Sequence, residues 1–110
     1  MAKDDIFRII YTILKELYAH RKDGTQVPRE DISPERFQIA DSYWISIICE
    51  LSDNGYISGV KCRETKTGKV VSGIDDMDVT LKGIEYLQDN SEMKRVHNLL
   101  KGIKDIMPGI

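Results

Sequence analysis

The sequence predicts a mostly helical α+β domain, and its middle third carries the clearest evidence. Residues 40–54 have the apolar spacing of a single helix, which stops at Asn54-Gly55 and is followed at once by an extended apolar segment. An acidic turn then leads to Thr80, the expected N-cap of another helix that begins over residues 81–87. A helix, a hairpin and a helix in this order are typical of the second half of a winged-helix domain, in which a helix-turn-helix is joined to a β-hairpin wing.

Length and composition indicate one folded domain. The chain has 110 residues, 41% of them hydrophobic and 31% charged, which is enough for one hydrophobic core over residues 1–110. No stretch approaches the roughly 20 apolar residues that span a bilayer. The N-terminus turns acidic and then amphipathic, unlike a signal peptide. We therefore expect a cytoplasmic protein that does not associate with membranes.

Three helices are expected before the hairpin. The first covers residues 4–20, where apolar residues recur at helical spacing, and it ends at Asp23-Gly24. The second is short and begins with Ser33 as N-cap and Pro34 as its first residue. Asp41 is the natural N-cap of the third helix. The apolar face of that third helix holds Trp44, Ile47, Ile48 and Leu51, and its opposite face holds Ser42, Ser46, Cys49 and Asp53.

A two-stranded wing is expected over about residues 56–74, with its turn at residues 64–68. A brief pairing of Val79 is expected next, before Thr80 caps the fourth helix. An additional C-terminal helix follows over about residues 91–107. The expected core consists of Ile6, Ile10, Ile13, Leu17, Phe37, Trp44, Ile48, Leu51, Ile57, Leu81, Ile84, Leu87 and Leu99.

The two cysteines, Cys49 and Cys62, are expected to be reduced thiols. Neither belongs to a Cys-x-x-Cys pair, and both histidines lie far from them in the sequence, so the spacing of zinc ligands is absent. A disulfide would require the third helix and the hairpin to abut, and a reducing compartment disfavours it. No metal site is therefore predicted.

Two motifs carry a family resemblance. The first is Leu51-x-x-x-Gly55-Tyr56-Ile57 before the hairpin, and the second is Thr80-x-x-Gly83-x-x-Tyr86-Leu87 after it. Together they are similar to many bacterial winged-helix proteins. Nearly the whole chain, and residues 80–106 in particular, resembles the YjcQ-like family of small bacterial and prophage proteins. The resemblance implies a winged-helix fold and transfers no biochemical role to named residues.

Binding of double-stranded DNA is the function that the winged-helix analogy favours. The groove-facing helix would be residues 42–53, whose outward side offers hydroxyl groups but no lysine or arginine. Residues 30–54 hold one basic and six acidic residues, whereas residues 60–74 hold four basic residues and one acidic. The wing would therefore supply the phosphate contacts, although surface lysines on a solvated hairpin explain its charge equally well. The candidate DNA-binding residues are Ser42, Tyr43, Ser46, Lys61, Arg63, Lys66 and Lys69.

The alternative is a protein-interaction module that uses the same fold without DNA. Its basis is the acidic third helix together with the apolar stripe of the last helix, which would face a second copy in a homodimer. Packing of that stripe onto the first helix of its own chain is the competing explanation, and some of both is expected. The candidate dimer residues are Met93, Val96, Leu99, Leu100, Ile103 and Met107.

An enzyme is not predicted, and no cofactor is expected. The chain has no Gly-rich phosphate loop and no arrangement around a histidine that resembles a catalytic triad. Asp75, Asp76 and Asp78 lack the glycine and the terminal glutamate that a calcium-binding EF-hand loop requires. We interpret these three carboxylates as part of a solvated acidic turn.

Overall fold

The computed structural model describes the backbone of residues 4–105 and the side chains of residues 6–101. Within that range the chain forms five α-helices and four short strands, a mostly helical α+β architecture. None of these described helices is both long enough and apolar enough to cross a bilayer. The helices are α1 (Asp4–Asp23), α2 (Pro34–Phe37), α3 (Asp41–Asp53), α4 (Leu81–Asp89) and α5 (Ser91–Asp105).

The strands form two antiparallel pairs rather than one sheet. The larger pair is the hairpin, in which Arg63 lies opposite Val70. In the smaller pair Ile57 lies opposite Val79, so the predicted brief pairing of Val79 is confirmed. The strands are β1 (Ile57–Ser58), β2 (Lys61–Thr65), β3 (Gly68–Ser72) and β4 (Asp78–Val79), and single 3₁₀ turns cover Arg29–Asp31 and Ile74–Asp76.

Hydrogen bonds from side chains set the helix starts largely as predicted. The Ser33 hydroxyl accepts a hydrogen bond from the Arg36 amide at 3.4 Å, and Pro34 is the first residue of α2. The N-cap of α3 is Ala40 rather than the predicted Asp41, which is instead the first helical residue. At the other end of α3, Gly55 has φ +80°, a left-handed conformation that glycine adopts readily, so the chain leaves the helix sharply.

The core surrounds α1, which packs against α4, α5 and β4. Two residues that were expected in this core lie at the surface, since Leu81 is 73% exposed and Leu99 is 40% exposed. Leu81 points outward because α4 packs against the backbone at Tyr56 through its opposite side, at Gly83. Leu99 follows Met93 and Val96 along α5, and those two residues are the ones that reach the core.

Several buried residues lie outside the predicted helices. Ile32 is 1% exposed, and its carbonyl accepts a hydrogen bond from Trp44 Nε1 at 2.7 Å. Met77 and Val79 are buried where the chain returns from the hairpin toward α4. Short connections that read as polar linkers therefore contribute part of the core.

The structure joins Cys49 and Cys62 in a disulfide, with Cα atoms 5.9 Å apart. The prediction of two reduced thiols is therefore wrong here, as is the prediction that Cys49 lies on the exposed face of the third helix. The physical reason is that the hairpin folds over α3 at Cys49, so α3 and β2 abut there and Cys49 is 1% exposed, while Ser42 and Ser46 on the same face stay exposed.

Candidate nucleic-acid interface and the adjacent groove

The first two hairpin cations point away from α3. Lys61, Cys62 and Arg63 are consecutive residues of β2, and side chains alternate between the two faces of a strand. Because Cys62 is bonded to α3, Lys61 and Arg63 lie on the opposite face of the hairpin. Both side chains are exposed to solvent.

The other two cations lie at the tip of the hairpin and on its second face. Lys66 and Thr67 are the two turn residues. Lys69 lies across from Glu64, in the same side-chain layer as Cys62. The Thr65 hydroxyl donates to the Gly68 carbonyl oxygen at 2.6 Å and accepts from the Thr67 amide at 3.2 Å, which braces the turn. The hairpin thus carries cations on both faces and at its tip.

None of the four hairpin cations forms an ion pair with a residue that the structure describes. By contrast, Arg29 pairs with Asp75 at 3.5 Å and Arg21 lies 3.6 Å from Asp78. Within the hairpin, the one acidic residue is Glu64, which lies across from Lys69. The positive charge of the hairpin is therefore available to an anionic partner.

The predicted DNA-contacting residues of α3 are exposed, but they form a separate group. Ser42, Tyr43 and Ser46 all lie on the solvent side of the helix. The Ser46 hydroxyl already donates to the Tyr43 carbonyl oxygen at 2.7 Å, so its proton is not free for a phosphate. The same exposed side carries Glu50 and Asp53. This face of α3 therefore repels phosphate, while Lys61 and Arg63 point away from it.

The candidate dimer residues divide between the core and the surface. Met93 and Val96 are completely buried, so the prediction that they contact a second copy is wrong. They belong to the core cluster that α1 and α5 share, which is the competing explanation given above. Leu99 and Leu100 are each 40% exposed and stay candidates. The side chains of Ile103 and Met107 lie outside the described residues.

A groove that the sequence did not predict lies beside the hairpin. Its volume is about 410 Å³, and its apolar lining comes from α3 and from the end of the hairpin. Three acidic or basic side chains, Glu35, Asp41 and Arg29, lie at its rim. The signal in the sequence was the run Val70-Val71, in which adjacent residues are apolar instead of alternating with polar ones. The apolar lining residues of the groove include Trp44, Ile45, Val70, Val71 and Ile74.

One group of side chains has spacing suited to a metal ion. Glu16, His20 and Asp31 each offer a ligand atom, and these atoms lie within 4.8 Å of one another. The Arg36 guanidinium lies 3.5 Å from the Glu16 carboxylate and donates to the Asp31 carbonyl oxygen at 2.8 Å. A fixed positive charge therefore already offsets part of the negative charge of this group, and we assign no metal to it.

These observations define a small, mostly helical α+β protein with a basic hairpin beside an acidic helix. A comparison with protein families adds a more particular result: the family model described as YjcQ protein matches residues 11–106, and the chain belongs to the YjcQ family. Neither the comparison with curated proteins nor the comparison with solved structures gave a match.

Proposed function

We propose that this YjcQ-family chain is a winged-helix protein that binds double-stranded DNA through its hairpin. Support for the winged-helix assignment comes from the order of elements. α2 and α3 are joined by a turn in which Gln38 has φ +56°, and this pair would be the helix-turn-helix. The β2–β3 hairpin follows α3 and would be the wing.

The distribution of cations on the hairpin is the observation that carries the proposal. Lys61 and Arg63 lie on one face, Lys69 lies on the other, and Lys66 lies at the tip. The major groove of B-DNA is about 12 Å wide, admits a two-stranded β-ribbon and has a phosphate backbone on each side. A ribbon that enters tip-first with cations on both faces would meet both backbones. Contacts of this kind provide affinity without reading the base sequence.

The helix α3 would contribute little to this binding. It contains no lysine or arginine, the residues that most often read guanine and contact phosphate. Glu50 and Asp53 on its exposed side would be repelled by the DNA backbone. We therefore propose weak binding with little sequence preference, and substitution of Ser42 or Ser46 by alanine should change the affinity little.

Fluorescence anisotropy with a labelled duplex of mixed sequence, at low salt, tests the proposal. The hairpin variant replaces Lys61, Arg63, Lys66 and Lys69 together with glutamine. The control variant removes the same number of positive charges from exposed positions on α1 and α5. The control substitutions are Arg8→Gln, Lys15→Gln, Lys22→Gln and Lys94→Gln.

We expect the hairpin variant to lose binding and the control variant to retain most of it. The loss of charge is equal in both, so a difference between them assigns the contact to the hairpin. Absence of binding by the natural chain at low salt, or an equal loss in both variants, would refute the proposal. Circular dichroism of each variant checks that the fold is kept.

A protein-interaction module is the second candidate, and the partly exposed Leu99 and Leu100 favour its homodimer form. In this form α5 would meet its counterpart through these two side chains, while Met93 and Val96 hold the helix on its own core. Sedimentation of the natural chain and of the Leu99→Lys, Leu100→Lys variant tests this. A monomer at high concentration for the natural chain would exclude the homodimer.

The setting that we propose is the bacterial cytoplasm, in a protein of prophage type, where Cys49 and Cys62 would be reduced and the disulfide would form only under oxidising conditions. This rests on the resemblance of the two motifs around the hairpin and on the DNA-binding proposal itself. It adds no chemistry to the hairpin, and the DNA titration does not depend on it.

A further inference from the structure

We propose that the groove beside the hairpin binds an extended peptide that pairs with β3, carrying apolar side chains at alternate positions and a lysine or arginine near one end. This goes beyond DNA binding, because it uses a different surface and a different class of partner.

The groove runs along the open edge of β3. Val70 and Val71 both line it, although consecutive residues of a strand point to opposite faces of the hairpin. A groove lined by both residues therefore passes along the edge between the two faces. The β2–β3 sheet has two strands, so β3 has β2 on one side and none of the described strands on the other.

Backbone groups at this edge are available for pairing. The hairpin closes through a two-residue turn with Thr65 opposite Gly68, the arrangement in which that pair exchanges its backbone hydrogen bonds. Hydrogen-bonded and non-hydrogen-bonded pairs then alternate, so the N–H and C=O groups of Lys69 and Val71 point away from β2. Neither residue makes a backbone hydrogen bond to another described element. An added strand would satisfy these groups.

The lining suits a strand with apolar residues on one side. Trp44 is 5% exposed at the base of the groove, whereas Val70 is 36% exposed at its margin. Ile45 and Ile74 are half-buried and complete an apolar surface from both walls. A strand laid along β3 would direct every second side chain onto this surface and the others into solvent. The peptide therefore needs apolar residues at alternate positions only.

The rim selects the charge of the peptide. Glu35 and Asp41 are exposed and form no ion pair with a described residue. Arg29, the basic residue on the rim, is already paired with Asp75 at 3.5 Å. Among the residues that line the groove, the uncompensated charge is negative, which attracts lysine or arginine and repels phosphate. A cationic peptide rather than DNA is thus the occupant that fits this groove.

Peptide titrations by fluorescence anisotropy test the proposal. The first probe is a fluorescein-labelled heptapeptide of alternating valine and threonine with lysine at both ends. The second has glutamate at both ends, and the third is the first peptide with every valine and threonine backbone nitrogen methylated. We expect the first to bind roughly ten-fold tighter than the second, because the rim is acidic. The third should bind roughly ten-fold more weakly than the first, because a methylated nitrogen has no N–H to donate to β3.

Charge reversal at the rim makes the test specific. In the Glu35→Lys, Asp41→Lys variant the preference should invert, so that the glutamate-ended peptide binds better than the lysine-ended one. The matched control is Glu50→Lys, Asp53→Lys, which makes the same change at the exposed far end of α3 and should leave the preference unchanged. An equal effect of both variants would mean that overall charge, not the groove, decides binding.

Hydrogen exchange at the backbone amides of Lys69 and Val71 reports where the peptide lies. Binding of the lysine-ended peptide should slow hydrogen exchange at these two amides, because each would gain a hydrogen-bond partner. Four further outcomes would overturn the proposal. They are no binding of the lysine-ended peptide, equal binding of the methylated peptide, unchanged exchange at Lys69 and Val71, and protection that rises with protein concentration without peptide, which would identify a second copy as the occupant.

Discussion

Gly83 determines how closely α4 approaches the chain that enters β1. The Thr80 hydroxyl donates to the Gly55 carbonyl oxygen at 2.6 Å and accepts from the Gly83 amide at 3.0 Å, which ties the two segments together. A Cβ atom at position 83 would overlap the backbone oxygen of Tyr56 and lie 2.8 Å from Val79 Cγ2. The spacing of Thr80 and Gly83 in the sequence thus reflects a packing requirement.

Gly83→Ala is expected to destabilise the protein. Alanine is favoured over glycine in a helix by about 1 kcal/mol, but forcing a methyl group against a backbone carbonyl costs about 1–3 kcal/mol and requires α4 to move. We expect a net loss of up to about 2 kcal/mol in the free energy of unfolding, measured by urea denaturation. Gln88→Ala, at an exposed position of the same helix, is the control and should change stability little. A gain in stability from Gly83→Ala would contradict the close approach.

Burial affects the ionisation of two tyrosines. Tyr11 packs in the core and its hydroxyl lies 2.8 Å from His97 Nδ1, and burial raises the pKa of this phenol above its usual range. Burial also raises the pKa of Tyr86, with smaller contributions from Tyr56 and Glu92. The fold therefore favours the neutral form of both side chains.

Stability should fall at alkaline pH for this reason. A raised pKa in the folded state means that the contribution is fully present below about pH 10, the usual pKa of tyrosine, and is lost as the pH rises further. Denaturation curves between neutral pH and pH values above that point would measure this loss. Tyr11→Phe should be less stable than the natural chain at neutral pH, by about 1 kcal/mol for the lost hydrogen bond. The additional stability that this variant loses at high pH should be smaller than the loss in the natural chain. An equal loss in both would contradict the assignment to Tyr11.

At the scale of elements, the disulfide is the covalent link between α3 and the hairpin. Cys49 and Cys62 are 13 residues apart in sequence, and the segment between them contains the end of α3, β1 and the start of β2. The hairpin otherwise contacts α3 through residues such as Val71, which is only partly buried. The position of the hairpin on α3 therefore depends strongly on this link.

Reduction of the disulfide is expected to lower stability. In the chain-entropy model a loop of about this length contributes about 3 kcal/mol, and measured values are typically about 2–4 kcal/mol. Urea denaturation with and without dithiothreitol would measure the difference. The Cys49→Ala, Cys62→Ala variant is the control and should not respond to dithiothreitol. An equal stability of the oxidised and reduced natural chain would show that packing alone holds the hairpin.

At the scale of the whole molecule, charge is separated although the net charge is only −2. The hairpin is basic, whereas the exposed side of α3 and the turn at residues 75–78 are acidic. This separation, rather than the total, decides how the molecule meets a charged partner. The net charge alone does not indicate whether the chain binds DNA.

If the hairpin contacts DNA, this charge separation makes the binding affinity depend on the salt concentration. Each cation that neutralises a phosphate contributes roughly −0.9 to the slope of log K against log salt, so four hairpin cations give a slope no steeper than about −3.6. Anisotropy titrations over a series of salt concentrations measure this slope. Lys66→Gln, which removes one cation at the tip, should make it shallower by about 0.9. A much steeper slope in the natural chain would mean that α5 or α1 also contacts DNA.

The helices and their starts could be predicted from the sequence because local interactions set them. Ser33, Pro34, Thr80 and Gly55 act within one helical turn, and each has the predicted role. The family could also be recognised from the sequence, because each of the two motifs beside the hairpin is a continuous stretch of residues. The boundary at Asp41 was wrong by one residue, since no side chain caps α3.

The tertiary structure decided what depends on contacts between distant segments. Periodicity alone could not tell that Cys49 would be covered by the hairpin, that Met93 and Val96 would pack in the core of their own chain, or that Leu81 would face solvent. It could not indicate the groove either, because the groove exists only where the edge of β3 passes α3. The sequence by itself determined the elements, their order and the basic character of the hairpin, since these depend on residues that are neighbours along the chain. Only the packing of α3, α5 and the hairpin decided which of their faces remain open to a partner, because burial depends on residues far apart in the sequence.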